Sequence, residues 1–209
     1  MIKIWGRNTS SNVQKAMWGV GELGLEHTRI DVGGAFGKNK EAPYLAMNPN
    51  GLVPTLEEAD GFTLWESNSI IRYLANKHDK TGTLEPKDAR QRALAHQWMD
   101  WQLTVVGPAI LAAFWGLIRV PEDKRDHAAI KTSQEKTAEA MVILDKQLGK
   151  TEYVTGSSFS YGDIPVGVMC YRYVQLVPQR PATPNLDRWY AMISKRKAFQ
   201  DHVGSVPLS

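Results

Sequence analysis

Strand signals are confined to the stretch before Asp79, and that asymmetry limits the chain to a small mixed sheet followed by a helical body. Lys3-Ile4-Trp5 reads as a short strand. Residues 12–23 place Val13, Ala16, Met17, Val20 and Leu23 close to helical spacing. Residues 27–32 alternate like a second strand, and residues 41–46 are a short helical stretch that ends before Asn48-Pro49. Residues 53–57 and 62–64, joined through Ala59-Asp60-Gly61, read as an antiparallel hairpin, because an Asp-Gly pair supplies the positive φ that a tight turn needs. Residues 66–77 are helical again. The order βαβαββα predicts a small α/β sheet domain covered by helices.

Residues 79–89 are polar and punctuated by Gly82 and Pro86, which suits a linker between a domain at 1–78 and an all-helical domain at 90–209. Helical periodicity continues from 89 to about 115, then over 121–148, 161–176 and 185–199, with breaks at Val120-Pro121, Gly149 and 178–184. Ser160-Tyr161-Gly162-Asp163 reads as a capping box in which the Ser160 hydroxyl accepts from the Asp163 amide, with Phe159 and Ile164 as its staple.

Composition removes several function classes. With 25 basic residues scattered among 22 acidic ones, a net charge of +3 gives no stripe for nucleic acid. No run of eighteen uninterrupted apolar residues occurs, so no membrane span is expected. The N-terminus enters a strand pattern with no apolar leader, which points to the cytoplasm. The single cysteine, Cys170, sits among Val168, Met169 and Tyr171 and reads as a buried, inert thiol. The five histidines, His27, His78, His96, His127 and His202, have no ligand partner at metal spacing, so no metal is expected.

Three patterns carry chemistry. In Asn48-Pro49-Asn50-Gly51-Leu52-Val53-Pro54-Thr55-Leu56, Val53 is held extended by the following ring and Pro54 donates to no ladder, leaving the Val53 main chain free for a ligand; in the cis isomer both amide groups of Val53 point out of the sheet toward a peptide-like partner. Arg7-Asn8-Thr9-Ser10-Ser11-Asn12 brings hydroxyls and amides to a helix start, where they stabilise an anion such as a thiolate; one of them as a simple cap is the bland alternative. Glu66-Ser67-Asn68 reads either as an ordinary helix start with Ser67 as cap, or as an acceptor for a free amino-acid end, Glu66 pairing the ammonium and Ser67 with the helix amides taking the carboxylate. Trp98, Trp101, Phe114, Trp115 and Ile118 are mostly core by spacing. Phe114, Trp115 and Arg119 are the candidates for an apolar wall against an electrophile.

Taken together, these segments, with Leu64-Trp65-Glu66-Ser67-Asn68-Ser69-Ile70-Ile71-Arg72-Tyr73-Leu74, Ser160-Tyr161-Gly162-Asp163-Ile164 and Asn185-Leu186-Asp187-Arg188-Trp189-Tyr190, resemble the cytosolic glutathione transferases over essentially the whole chain. The resemblance implies a thioredoxin-like N-terminal domain with a cis bond at Pro54, an all-helical second domain, and glutathione as co-substrate with no tightly bound cofactor. It implies that the Val53 main chain binds the cysteinyl part, that Glu66 and Ser67 hold the γ-glutamyl end, and that Lys40 and Asn50 face the glycine end. The catalytic hydroxyl of serine-type classes falls on Ser10. Asn12 stands where other bacterial members carry Cys or Asn, and Ser11 is the adjacent competitor.

Such a donor stabilises the thiolate by about 1.5–3 kcal/mol, one or two units of thiol pKa. The thiolate then attacks a small apolar electrophile. The resemblance also implies a cytoplasmic detoxification enzyme and a homodimer, with Asp100 approaching the partner's site. Disulfide or peroxide reduction by the same thiolate is the alternative, and a non-catalytic binding module is the second alternative.

Overall fold

A computed structural model describes residues 1–209, which form two compact units. The first takes Met1–Glu85 together with Lys197–Pro207, and the second takes Pro86–Arg196 together with Leu208–Ser209. In the first unit, β1 (Ile2–Trp5) leads into α1 (Ser11–Glu22), β2 (His27–Ile30), α2 (Ala42–Met47), the hairpin strands β3 (Thr55–Glu57) and β4 (Thr63–Trp65), and α3 (Ser67–His78). The sheet order is β2-β1-β3-β4, with β2 parallel to β1 and the other pairs antiparallel. This is the predicted βαβαββα order.

The alternation of β1 explains the packing. Ile2 and Ile4 point into a core that Val13, Ala16, Met17 and Val20 of α1, Leu56 of β3, and Ile70 and Leu74 of α3 complete. Trp5 faces the other way, and its indole N–H donates to Glu57 at 2.8 Å. The hairpin turns at Gly61, whose φ of +89° favours glycine, and Asp60 accepts from the Phe62 amide.

The second unit is helical: α4 (Ala89–Trp101), α5 (Gly107–Phe114), α6 (His127–Leu148), α7 (Asp163–Leu176) and α8 (Pro184–Ile193). Expected as one helix to about 115, the first run is continuous to Arg119 but widens into π-helix at Gln102–Val106 and Trp115–Arg119. Pro108 lacks an amide for the ladder, and Thr104 bonds back to the Asp100 carbonyl at 2.9 Å, so the first widening has local causes. This run of 31 residues is long and apolar enough, at a mean hydropathy of 1.6 over its best window, to cross a membrane by length and composition alone. In the structure it packs on α6 and α7, where Ser133 of α6 donates to the Ala109 carbonyl and accepts from the Ala113 amide.

Two helix starts differ from expectation. The stretch from 121 opens with a 3₁₀ turn, Glu122–Lys124, and α6 begins only after Asp126 caps it by accepting from the Ala129 amide. At α7 the box works with its roles shifted: the Ser160 hydroxyl accepts from Gly162, not Asp163, while the Asp163 carboxylate accepts from the Ser160 amide, the Val154 amide and the Trp189 indole. Expected as one helix, 185–199 breaks after Ile193, and a new turn, α9 (Lys197–Phe199), follows. That last segment packs with the first unit instead of the helical one: Phe199 meets Trp18 of α1 edge-on at 5.0 Å, and a methyl on Gly21 would lie 2.8 Å from Ala198. Cys170 is buried, and burial pushes its thiol far above the ordinary range, as expected of an inert core group.

Candidate functional site

A pocket in the first unit is lined by Asn12, Asn48, Asn50, Leu52, Val53, Pro54, Trp65, Glu66 and Ser67. Three segments far apart in sequence supply them: the start of α1, the turn before β3, and the junction of β4 with α3. The sheet order explains the meeting, because β3 lies between β1 and β4 and so brings the ends of all three strands side by side.

The Val53-Pro54 bond is cis. Neither the N–H nor the C=O of Val53 is hydrogen-bonded within the chain, so both are free for a ligand. Leu52 differs: its carbonyl accepts from the Tyr44 hydroxyl at 2.6 Å and from Asn48 Nδ2 at 2.9 Å. A peptide-like molecule can therefore add main-chain hydrogen bonds at Val53, as a strand adds to a sheet edge.

At the opposite wall Glu66 has φ +72°, in the left-handed region that L residues seldom enter. Glu66 occupies the N-cap position of α3 and Ser67 is the first helical residue, so Ser67 is not the cap that the plain helix-start reading would make it. Glu66 is exposed and is the one ionisable side chain lining the pocket. Its carboxylate can take an ammonium while the first amides of α3, that of Ser67 included, take a carboxylate. A strained residue at a pocket is a pointer to function.

The Ser67 hydroxyl lies 3.5 Å from Asn12 Oδ1, and Asn12 is exposed at the start of α1. Ser10 occupies the N-cap position of α1, yet its side chain makes no capping bond; Ser11 is the first helical residue, and neither lines the pocket. Lys40 is likewise outside the lining, but its ammonium donates to the Asn50 carbonyl at 3.2 Å and so sits behind the pocket's far wall.

In the second unit, Phe114, Trp115 and Arg119 do come together: the Arg119 guanidinium lies 5.9 Å from the Phe114 ring, which also carries Arg172 at 4.4 Å, and Trp115 meets Phe114 edge-on at 6.5 Å. Trp115 is 54% exposed, while Arg119 donates to the Ser209 carbonyl at 2.5 Å. Trp98 and Trp101 pack edge-on at 4.9 Å, but of the five residues expected mostly in the core only Trp98 is buried, while Trp101, Phe114 and Ile118 are half-buried, because spacing alone does not say how closely the neighbouring helices cover this run. Asp100 is exposed on α4.

Asn48, Leu52 and Trp65 line the pocket without having been singled out from sequence. All three lie inside or beside the motifs; the alternation of β4, with Leu64 packed on the core, was the signal for Trp65.

Residues 9–77 match the family described as glutathione S-transferase, N-terminal domain, and residues 104–197 match glutathione S-transferase, C-terminal domain. The chain belongs to the glutathione S-transferase family. Among this family's members it is 39% identical over 210 residues to glutathione S-transferase GstB of Escherichia coli K12, covering all of both chains. It is 28% identical to glutathione S-transferase F13 of Arabidopsis thaliana, covering 95% of this chain and 93% of the relative. Of solved structures, the theta class glutathione S-transferase of Xanthomonas axonopodis pv. citri with glutathione bound superposes with a TM-score of 0.94 at 42% identity, covering 100% of this chain and 99% of that one. The thioredoxin-like and helical units are thus those of a glutathione S-transferase, as the sequence motifs implied.

Proposed function

We propose that this transferase binds glutathione in the Val53–Glu66 pocket, ionises its thiol, and directs the thiolate at small apolar electrophiles. The observation that carries the reading is the meeting of Asn12, Val53, Glu66 and Ser67 around one cavity. The free main chain of Val53 takes the cysteinyl amides. Glu66 takes the γ-glutamyl ammonium, and the backbone amide of Ser67 with the next amides of α3 takes its carboxylate. Asn50, backed by Lys40, faces the glycine end.

Asn12 is the thiolate donor in this reading, with Ser10 and Ser11 as its competitors. Its Oδ1 is turned to Ser67, which leaves the Nδ2 protons for the sulfur. A hydrogen bond to a charged acceptor contributes about 1.5–3 kcal/mol, which makes the thiolate a large fraction of bound glutathione at neutral pH. Phe114, Trp115 and Arg119 are the residues for the electrophile. The thiolate attacks the electrophilic carbon, the carbon–sulfur bond forms, and a leaving group departs where the electrophile has one.

The reading includes a cytoplasmic homodimer with glutathione as co-substrate and no resident cofactor. Leu103, Val105, Leu111 and Ile143 are exposed apolar residues of the second unit, and a second copy would cover them. The test is turnover of 1-chloro-2,4-dinitrobenzene beside that of hydroxyethyl disulfide. Conjugation above the uncatalysed rate supports the reading; brisk disulfide reduction without conjugation overturns it in favour of the reductase.

A further inference from the structure

We propose that Tyr44 and Asn48 are positioning residues that hold the Val53 main chain in place for its ligand. This rests on the reading of the pocket as a glutathione site. The turn from Asn48 to Val53 contains one backbone hydrogen bond of its own, from the Gly51 amide to the Asn48 carbonyl at 3.0 Å. The Asn48 amide also donates to the Tyr44 carbonyl at 2.9 Å, and beyond it the turn is held by side chains, with Asn39 Nδ2 on the Gly51 carbonyl at 2.8 Å and Lys40 on that of Asn50. Two donors converge on the Leu52 carbonyl, the Tyr44 hydroxyl at 2.6 Å and Asn48 Nδ2 at 2.9 Å. Both also reach the Thr55 hydroxyl just beyond Pro54, at 2.9 and 3.3 Å. Asn48 Oδ1 accepts from the Asn50 amide at 3.1 Å.

Packing cannot replace these bonds, because the Leu52 side chain is 64% exposed and anchors nothing. The anchors themselves are buried: Tyr44 is 3%, Asn48 2% and Thr55 0% exposed. A buried polar network with its members paired selects one arrangement, since any other leaves a buried group without a partner. The carbonyl of Leu52 and the amide of Val53 belong to one planar peptide unit. Pinning the first therefore aims the second. The same two side chains grip both flanks of the free Val53 main chain, at Leu52 and at Thr55.

The experiment compares the full-length wild-type chain with Tyr44→Phe, which removes only the hydroxyl, Thr55→Val and Thr55→Ser. Amide hydrogen exchange over the peptide containing residues 50–53, without ligand, reads the pinning. Calorimetric titration with glutathione, and kcat against KM for glutathione, read its use. Tyr44→Phe is expected to speed the exchange and weaken glutathione binding about fivefold, the loss of one hydrogen bond, while kcat at saturating glutathione stays within about twofold. Thr55→Ser keeps the hydroxyl and retains wild-type affinity, whereas Thr55→Val loses it. Unchanged exchange in Tyr44→Phe overturns the pinning, whatever binds. Faster exchange with wild-type affinity and KM overturns the positioning role and leaves a structural one. A wild-type chain that exchanges as expected but binds no glutathione overturns the functional reading, and with it the ligand named here.

Discussion

The hydroxyl of Ser67 and the side-chain oxygen of Asn12 lie 3.5 Å apart, which ties the first turn of α3 to the first turn of α1. With its oxygen on the hydroxyl, Asn12 keeps its amide protons to offer a ligand. Asn12→Ala is expected to raise the pKa of bound glutathione by one to two units, the equivalent of about 1.5–3 kcal/mol. Ser67→Ala leaves Asn12 unoriented and moves it in the same direction by less. The pH profile of kcat/KM measures both. A profile unmoved in Asn12→Ala and shifted in Ser10→Ala assigns the role to Ser10.

Glu66 offers a separation of stability from binding. Glycine enters φ +72° without the side-chain clash, so Glu66→Gly is expected to stabilise the fold by about 1 kcal/mol. The same change removes the one ionisable group of the pocket and is expected to weaken glutathione binding at least about tenfold, the worth of one charged hydrogen bond. Thermal melting with and without glutathione reads both. A lower Tm in the variant refutes the strain.

Asp163 gives the second unit a distinctive pH response. Burial is the largest influence on its carboxyl and raises it to about 6; the bonds from Val154, Ser160 and Trp189 offset only part of that. A folded-state pKa above the unfolded value means the folded chain holds the extra proton between roughly pH 4 and 6, so this group's contribution to stability grows as pH falls through that window. Asp163→Asn abolishes the slope. It also turns an amide against the Ser160 donors, at a cost of about 3 kcal/mol. Denaturant unfolding of both proteins at pH 4, 5, 6 and 7 tests it; equal slopes defeat the assignment.

Asp79 responds in the opposite sense. Burial raises its carboxyl, but the amides of Glu85, Leu84 and Thr83 and the Thr81 hydroxyl outweigh this and lower it to about 2. Its contribution is complete above the unfolded pKa and is lost as pH falls from about 4 toward 2. Asp79→Ala is expected to release residues 80–85 to limited proteolysis at pH 7, and wild-type chain at pH 2 to be cut there as readily as the variant.

The strand and helix order of the first unit was legible because each element declares itself over short range: alternation at Ile2 and Ile4, 3.6-residue spacing from Val13 to Val20, and the Asp60-Gly61 turn. The motif residues that meet in the pocket were legible for the same reason, each sitting at a punctuation mark of the chain. What escaped was decided by competition between donors. The Ser-x-x-Asp spacing predicts that Ser160 accepts from Asp163, and it accepts from Gly162, because a carboxylate that also serves Val154 and Trp189 redraws the turn. The widening at Gln102–Val106 depends on a side-chain bond that no periodicity encodes. Tyr44 looked like a helix residue, and its hydroxyl has meaning only once the Leu52 carbonyl is known to lie 2.6 Å away.

The return of Lys197–Pro207 to the first unit makes that unit a split fold. Its sheet comes from the segment before α4 and the cover of α1, with Phe199 on Trp18, from the segment after α8. A sheet unit cut off before α9 would leave the Trp18 face of α1 bare. The two units are thus interleaved along the chain, each closed by a piece that follows the other.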